Sequence, residues 1–165
     1  MELYKEQRIG VLVDVQNLYY SAKHLYKKKV NFHAVLRDAI NGRKLIRAIA
    51  YVIKADELKE NTFFEALNKI GFDVKAKDLQ VFYGGMKKGD WDVGIAVDAI
   101  QLAEKLDVVV LVSGDGDYKP LVEYLKNAKG CRVEAIAFGK STSRLLKDVV
   151  DDFIDLDVNH KKYLL

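Results

Sequence analysis

The stretch Val108-Val109-Val110-Leu111-Val112-Ser113-Gly114-Asp115-Gly116-Asp117 decides the reading of this chain. An unbroken apolar run, mostly β-branched, stops at a serine and two carboxylates spaced by glycine. Such a run predicts a strand buried on both faces, as in parallel sheets covered by helices above and below. The loop after it delivers two negative charges to the sheet edge, and ligands of open α/β sheets bind at that edge. The design recurs early in the chain, where Ile9-Gly10-Val11-Leu12-Val13 ends at Asp14. Two buried strands that each carry an acid to one edge fit a hard divalent cation with oxygen ligands, such as Mg2+.

Outward from these runs, apolar strands alternate with helical patterns. Strands are expected over 9–15, 45–53, 72–83, 108–112, 132–138 and 153–156. Helices are expected over 18–26, 31–37, 57–70, 91–106, 120–128 and 143–150, with ends marked by Asn41-Gly42, Gly71 and Gly130. In the long helix Val93, Ala96, Val97, Ile100 and Ala103 recur at helical spacing and are expected to face the sheet. This alternation predicts an α/β fold, a mostly parallel sheet with helices on both faces. The chain reads as one domain over 1–165, with a loose tail after about 157.

Composition narrows the setting. No apolar stretch is long enough to cross a bilayer, and the charged start Met1-Glu2-Leu3-Tyr4-Lys5-Glu6 lacks a signal-peptide core. The lone Cys131 cannot form an internal disulfide, so a cytoplasmic setting without a membrane partner is expected. A net charge of +3 is too mild to indicate nucleic acid by itself. Its distribution says more: basic clusters at 23–29, 43–47, 75–77 and 87–88 accompany the acids. Basic rims around an acidic pocket suit a polyanion held near a metal; the alternative is that each cluster is a solvated face.

The acids form a constellation. Asn17 follows Asp14 by three residues, where it either caps the next helix or orients a bound group. Asp92 opens the long helix, where an acid complements the helix dipole. Asp98 lies about 120° further round that helix, beside Val97 and Ala99-Ile100. A charge in apolar company needs a partner, either the site or a lysine such as Lys105. Asp115 and Asp117 alternate along a loop, and Ser113 adds a hydroxyl; an aspartate-rich turn capping the next helix is the alternative. Carboxylates gathered this closely do not all stay ionised without a cation. With a cation bound they suit phosphodiester hydrolysis. His24, His33 and His160 follow no metal-ligand spacing, which argues against zinc, and neither a P-loop nor a dinucleotide fingerprint is present.

Three segments carry a family resemblance: Val13-Asp14-Val15-Gln16-Asn17, then Lys88-Gly89-Asp90-Trp91-Asp92-Val93-Gly94-Ile95-Ala96-Val97-Asp98, then Ser113-Gly114-Asp115-Gly116-Asp117-Tyr118-Lys119-Pro120-Leu121. Together they resemble the NYN domain family, in its LabA-like branch. The resemblance implies a three-layer, Rossmann-like (PIN-like) fold and a Mg2+- or Mn2+-dependent ribonuclease acting on RNA; which RNA, or single-stranded DNA instead, the sequence leaves open. Carried over by position, Asp14, Asp92, Asp98, Asp115 and Asp117 are the expected metal ligands, and Asn17 a polar helper. Val15 replaces the family's usual glycine, and Asp90-Trp91 stands where many members have one residue; neither change removes a carboxylate.

The catalytic expectation is therefore Asp14, Asp98, Asp115 and Asp117, with Asp115 or Asp14 orienting the attacking water. Asn17, Ser113, Lys88, Lys119 and Lys140 are expected to contact substrate. A non-catalytic RNA-binding or regulatory module with the same fold is the alternative, and the sheet edges are compatible with a homodimer. A phosphoacceptor receiver domain fits poorly, because its aspartate would fall at Tyr83-Gly84-Gly85. A haloacid-type phosphatase needs a second acid two residues after Asp14, where Gln16 stands.

Overall fold

The computed structural model describes residues 2–54, 57–81, 83–84, 87–88 and 90–165. The elements run α1 (Glu2–Lys5), β1 (Arg8–Asp14), α2 (Val15–Tyr26), α3 (Phe32–Ile40), β2 (Lys44–Lys54), α4 (Glu57–Ile70) and β3 (Asp73–Asp78). After these come β4 (Gln80–Val81), β5 (Lys87–Lys88), α5 (Asp92–Ala103), β6 (Val108–Val112), α6 (Lys119–Asn127), β7 (Arg132–Ala137), α7 (Arg144–Val149) and β8 (Asp152–Asp155). Six strands form one parallel sheet in the order β3-β2-β1-β6-β7-β8. The order reverses between β1 and β6, so the topological switch point lies between the two acid-bearing strands. Ligands of doubly wound sheets bind outside the strand C-termini at such a point.

Strand β6 shows why the apolar run decides the fold. Val108, Val110 and Val112 pack with α2, α3 and α4, whereas Val109 and Leu111 pack with α5, α6 and α7. Both faces are therefore covered, and the alternation of side chains commits each residue of the strand to one of two cores. Helix ends follow their expected chemistry: the Asn31 side chain caps α3, Asn41 closes it in the left-handed conformation, and Gly71 ends α4 at φ +126°.

Four expectations differ from the structure. Val15 starts α2 instead of ending β1, because the Asp14 carboxylate accepts from the Asn17 amide at 3.2 Å and turns the chain into the helix. The long strand expected over 72–83 divides after Asp78, and β4 turns away to pair antiparallel with β5. In α5 the buried stripe is Ile95, Ala99 and Ala103, while Val93 and Val97 are exposed. Both stripes are apolar, so hydrophobicity alone does not set the helix's rotation. The tail is docked: Tyr163 is buried, its hydroxyl donates to Asp38 at 2.6 Å, and Leu164 bridges Val30.

Candidate metal centre at the switch point

Register places the first side chains. Asp14 is opposite Tyr51 on β2, Tyr51 is opposite Lys75 on β3, and Ser113 follows β6 beside Asp14. Leu12 and Tyr51 belong to the α5/α6 core, so Asp14 points to that same side. Ile95 and Ala99 fix the rotation of α5. Asp92 and Asp98 then fall about 60° to either side of Ile95, both able to reach the sheet edge.

The loop after β6 is tightly held. The Gly114 amide donates to the Asn17 side-chain oxygen at 3.0 Å, and its carbonyl accepts from Ser143. A Cβ at Gly114 would lie 2.7 Å from the Thr142 hydroxyl and 3.0 Å from its Cα, so only glycine fits there. Ser113 is fully buried; its hydroxyl donates to Asp14 at 3.3 Å and accepts from the Asp115 amide at 3.2 Å. Asp115 caps the short 3-10 turn Gly116–Tyr118 by accepting from the Asp117 amide at 2.9 Å.

Among the described residues, Asp92, Asp115 and Asp117 each offer an oxygen within 4.8 Å of the others. Tyr118, buried beneath them, donates its hydroxyl to Asp92 at 3.1 Å and lies 3.4 Å from Asp14. Asp14 thus sits behind the triad, joined to it through one phenol. Burial, reinforced by the charge of Asp92, pushes the Asp14 carboxyl up to about 6, against the hydrogen bonds from Asn17, Ser113 and Tyr118. Burial also raises Asp92, with the charges of Asp115, Asp90 and Asp117 adding to it. Burial and the nearby acids keep the Tyr118 phenol protonated, so it remains a donor.

The other expected site residues are placed as follows. Asp98 lies apart from the triad: its Oδ2 accepts from Tyr51 and from the Lys75 ammonium, both at 2.8 Å. Burial opposes its ionisation, but Lys75 and Tyr51 outweigh burial and hold its pKa below the ordinary value. Asn17 and Ser113 are engaged in holding the loop. Lys119 begins α6 directly after Tyr118. The Lys140 ammonium sits 5.9 Å from the Tyr26 ring centroid, at the far end of α2 from Asn17. The Lys88 side chain lies outside the described residues.

Sequence reasoning did not find Tyr118 or Tyr51, and it had Lys75 only within the 75–77 basic cluster, not as the partner of Asp98. Tyr118 had a usable signal, since a tyrosine directly after two acids suits a buried ring with a polar tip. The partnership of Tyr51 and Lys75 depends on strand register, which local sequence does not carry.

A doubly wound, three-layer α/β protein of Rossmann-like (PIN-like) architecture, with carboxylates clustered at its switch point, is the class that this fold and site define. The chain belongs to the NYN domain family, whose model matches residues 8–157. It is 25% identical over 164 residues to the "Low amplitude and bright protein LabA" of Synechococcus elongatus, covering 93% of this chain and 86% of that protein. The crystal structure of a Vibrio parahaemolyticus protein of unknown function superposes with a TM-score of 0.89 at 35% identity, covering 98% of each chain.

Proposed function

We propose that this protein is a Mg2+- or Mn2+-dependent ribonuclease that hydrolyses phosphodiester bonds at the β1/β6 switch point. The observation that carries the reading is the triad of Asp92, Asp115 and Asp117, with oxygens within 4.8 Å of one another. Its donor set fits a hard cation: every candidate ligand is a carboxylate oxygen, and no histidine or cysteine joins the group among the described residues. Burial raises Asp92 most, and the charges of Asp115, Asp90 and Asp117 add to it; that repulsion is what a cation would relieve.

Asp92, Asp115 and Asp117 are the proposed ligands. A bound divalent ion supplies an acidified water and screens the phosphate charge. Asp14, with its pKa near 6, is the proposed base that accepts a proton from the attacking water at Oδ2. Tyr118 and Ser113 orient that oxygen. Asn17 holds the Gly114 amide and so fixes the loop that carries Asp115. Lys119, at the start of α6, is the proposed substrate cation on the β6 side.

The test is cleavage of unstructured RNA in Mn2+ or Mg2+ by the wild type and by Asp115→Asn. A rate at least about 100-fold lower in the variant is expected, on the scale of losing one catalytic electrostatic group. Equal rates would sink the assignment. RNA binding without cleavage in either metal would establish the second reading, a non-catalytic RNA-binding or regulatory module. That reading is favoured by one observation, the neutralisation of Asp98 by Lys75.

A further inference from the structure

Lys75 stands in the same row of the sheet as Asp14, two strands away across Tyr51. In-register neighbours in a parallel sheet share a face, and two strand spacings amount to about 10 Å. Its ammonium bonds Asp98 at 2.8 Å, yet the side chain is 38% exposed while Asp98 is 16% exposed. An ammonium has three donors, and Asp98 is the one partner recorded for Lys75 among the described residues. The arrangement holds a cation at the rim by a half-buried carboxylate and leaves the rest of its donors toward solvent.

Lys77 follows on the same strand and the same face, about 7 Å along. Its ammonium lies 4.7 Å from the Trp91 ring centroid, and the indole is itself fixed by donating Nε1–H to the Val52 carbonyl at 2.9 Å. Trp91 directly precedes Asp92, so this pair starts where the acidic triad ends. Arg47, paired with Asp73 at 2.9 Å, adds a third cation beside two carboxylates. On the face that β3 shares with Tyr51, three cations thus stand beside two carboxylates, Asp73 and Asp98.

We propose that Lys75 and Lys77 form the track that binds the backbone of a single-stranded RNA on the β3 side of the acidic centre, and that Asp98 is a positioning residue that holds Lys75 in that track. The inference rests on the nucleic-acid reading above and extends it to a direction for the strand. Two lysines two residues apart on a strand, about 7 Å, match the step between neighbouring phosphates of an extended chain. Phosphate contacts of this kind position a substrate without reading its sequence.

The experiment is fluorescence anisotropy of a labelled oligouridylate with the full chain in Ca2+, over a salt series, for wild type, Lys75→Gln, Lys77→Gln, the double variant and Lys75→Arg. Each neutralised contact is expected to reduce the slope of log K against log salt by about 0.7, and the double variant by about 1.4. Lys75→Arg is expected to keep the wild-type slope, which separates charge from fold. In steady-state cleavage, Asp98→Asn is expected to raise KM several-fold with kcat retained, and to add little in the Lys75→Gln background. Unchanged slopes in a double variant whose wild type binds RNA would overturn the track alone. A fall in kcat and in Mn2+ affinity on Asp98→Asn, with KM unmoved, would make Asp98 a cation ligand and overturn its positioning role. A wild type that binds no RNA would overturn the track together with the reading beneath it.

Discussion

Replacing Asp14 with asparagine should stabilise the protein when divalent cations are absent. The Asp14 carboxyl is raised from its ordinary 3.8 to about 6, chiefly by burial. At about 1.4 kcal/mol per pH unit, keeping it ionised in the fold costs roughly 3 kcal/mol at neutral pH. The sign follows from proton counting. Between the unfolded and folded pKa values the native state binds more protons than the unfolded chain, so stability falls as pH rises through that window. Above about pH 6 the full penalty is present, and below about pH 4 it is absent.

Asparagine carries no charge, and its amide can be accommodated. Ser113 can accept where it now donates at 3.3 Å, and Tyr118 can give its proton wholly to Asp92 at 3.1 Å. Urea denaturation in chelator across the pH range gives the difference between wild type and Asp14→Asn. That difference should move in favour of the variant by up to about 3 kcal/mol from about pH 4 to about pH 7. Comparing the two proteins removes the contribution of carboxylates elsewhere, such as Asp98, Asp107 and Glu134, whose lowered pKa values act in the opposite sense. Added Mn2+ should stabilise both proteins and leave their ranking in place, since Asp92, Asp115 and Asp117 are intact in each; a ligand at about 100 times its Kd stabilises by about 2.7 kcal/mol. A difference that stays flat with pH would refute the argument that Asp14 is a buried charge held for function.

Two further outcomes test the frame around the centre. Arg43 and Glu134 form an ion pair at 2.9 Å with both side chains 6% exposed, so Glu134→Gln should cost roughly 3 kcal/mol by leaving a buried guanidinium uncompensated. Arg43 and Arg132 outweigh the burial that opposes Glu134 ionisation, so this stabilisation is present above its ordinary 4.5 and is lost as pH falls through the lower folded pKa; acid titration of both proteins reads it. Ile95→Ala should cost about 2–5 kcal/mol, whereas Val93→Thr on the same helix should stay within about 0.5 kcal/mol. Equal losses by denaturation would contradict the observed rotation of α5.

That rotation shows where sequence reading stopped. The β6 run, the acid-terminated strands and the glycine- and asparagine-marked helix ends are local signals, and each produced its element. Helix α5 offers two apolar stripes, and the choice between Val93 with Val97 and Ile95 with Ala99 depends on what else must reach the sheet. Burying Ile95 and Ala99 carries Asp92 to the triad and Asp98 to Lys75, one on each side. Burying the other stripe would carry at least one of the two carboxylates away from the sheet edge. The acids were therefore better guides to the helix than its hydrophobic residues, because an ion near the core is restricted to places with a partner, whereas an exposed valine costs little. The same constraint separates the two aspartates in role. Asp92 faces other carboxylates and has no countercharge among the described residues, while Asp98 already has one. A single spacing of acids on one helix thus places one acid in a carboxylate cluster and gives the other to a lysine, and which acid does which is decided by strand register across Asp14, Tyr51 and Lys75.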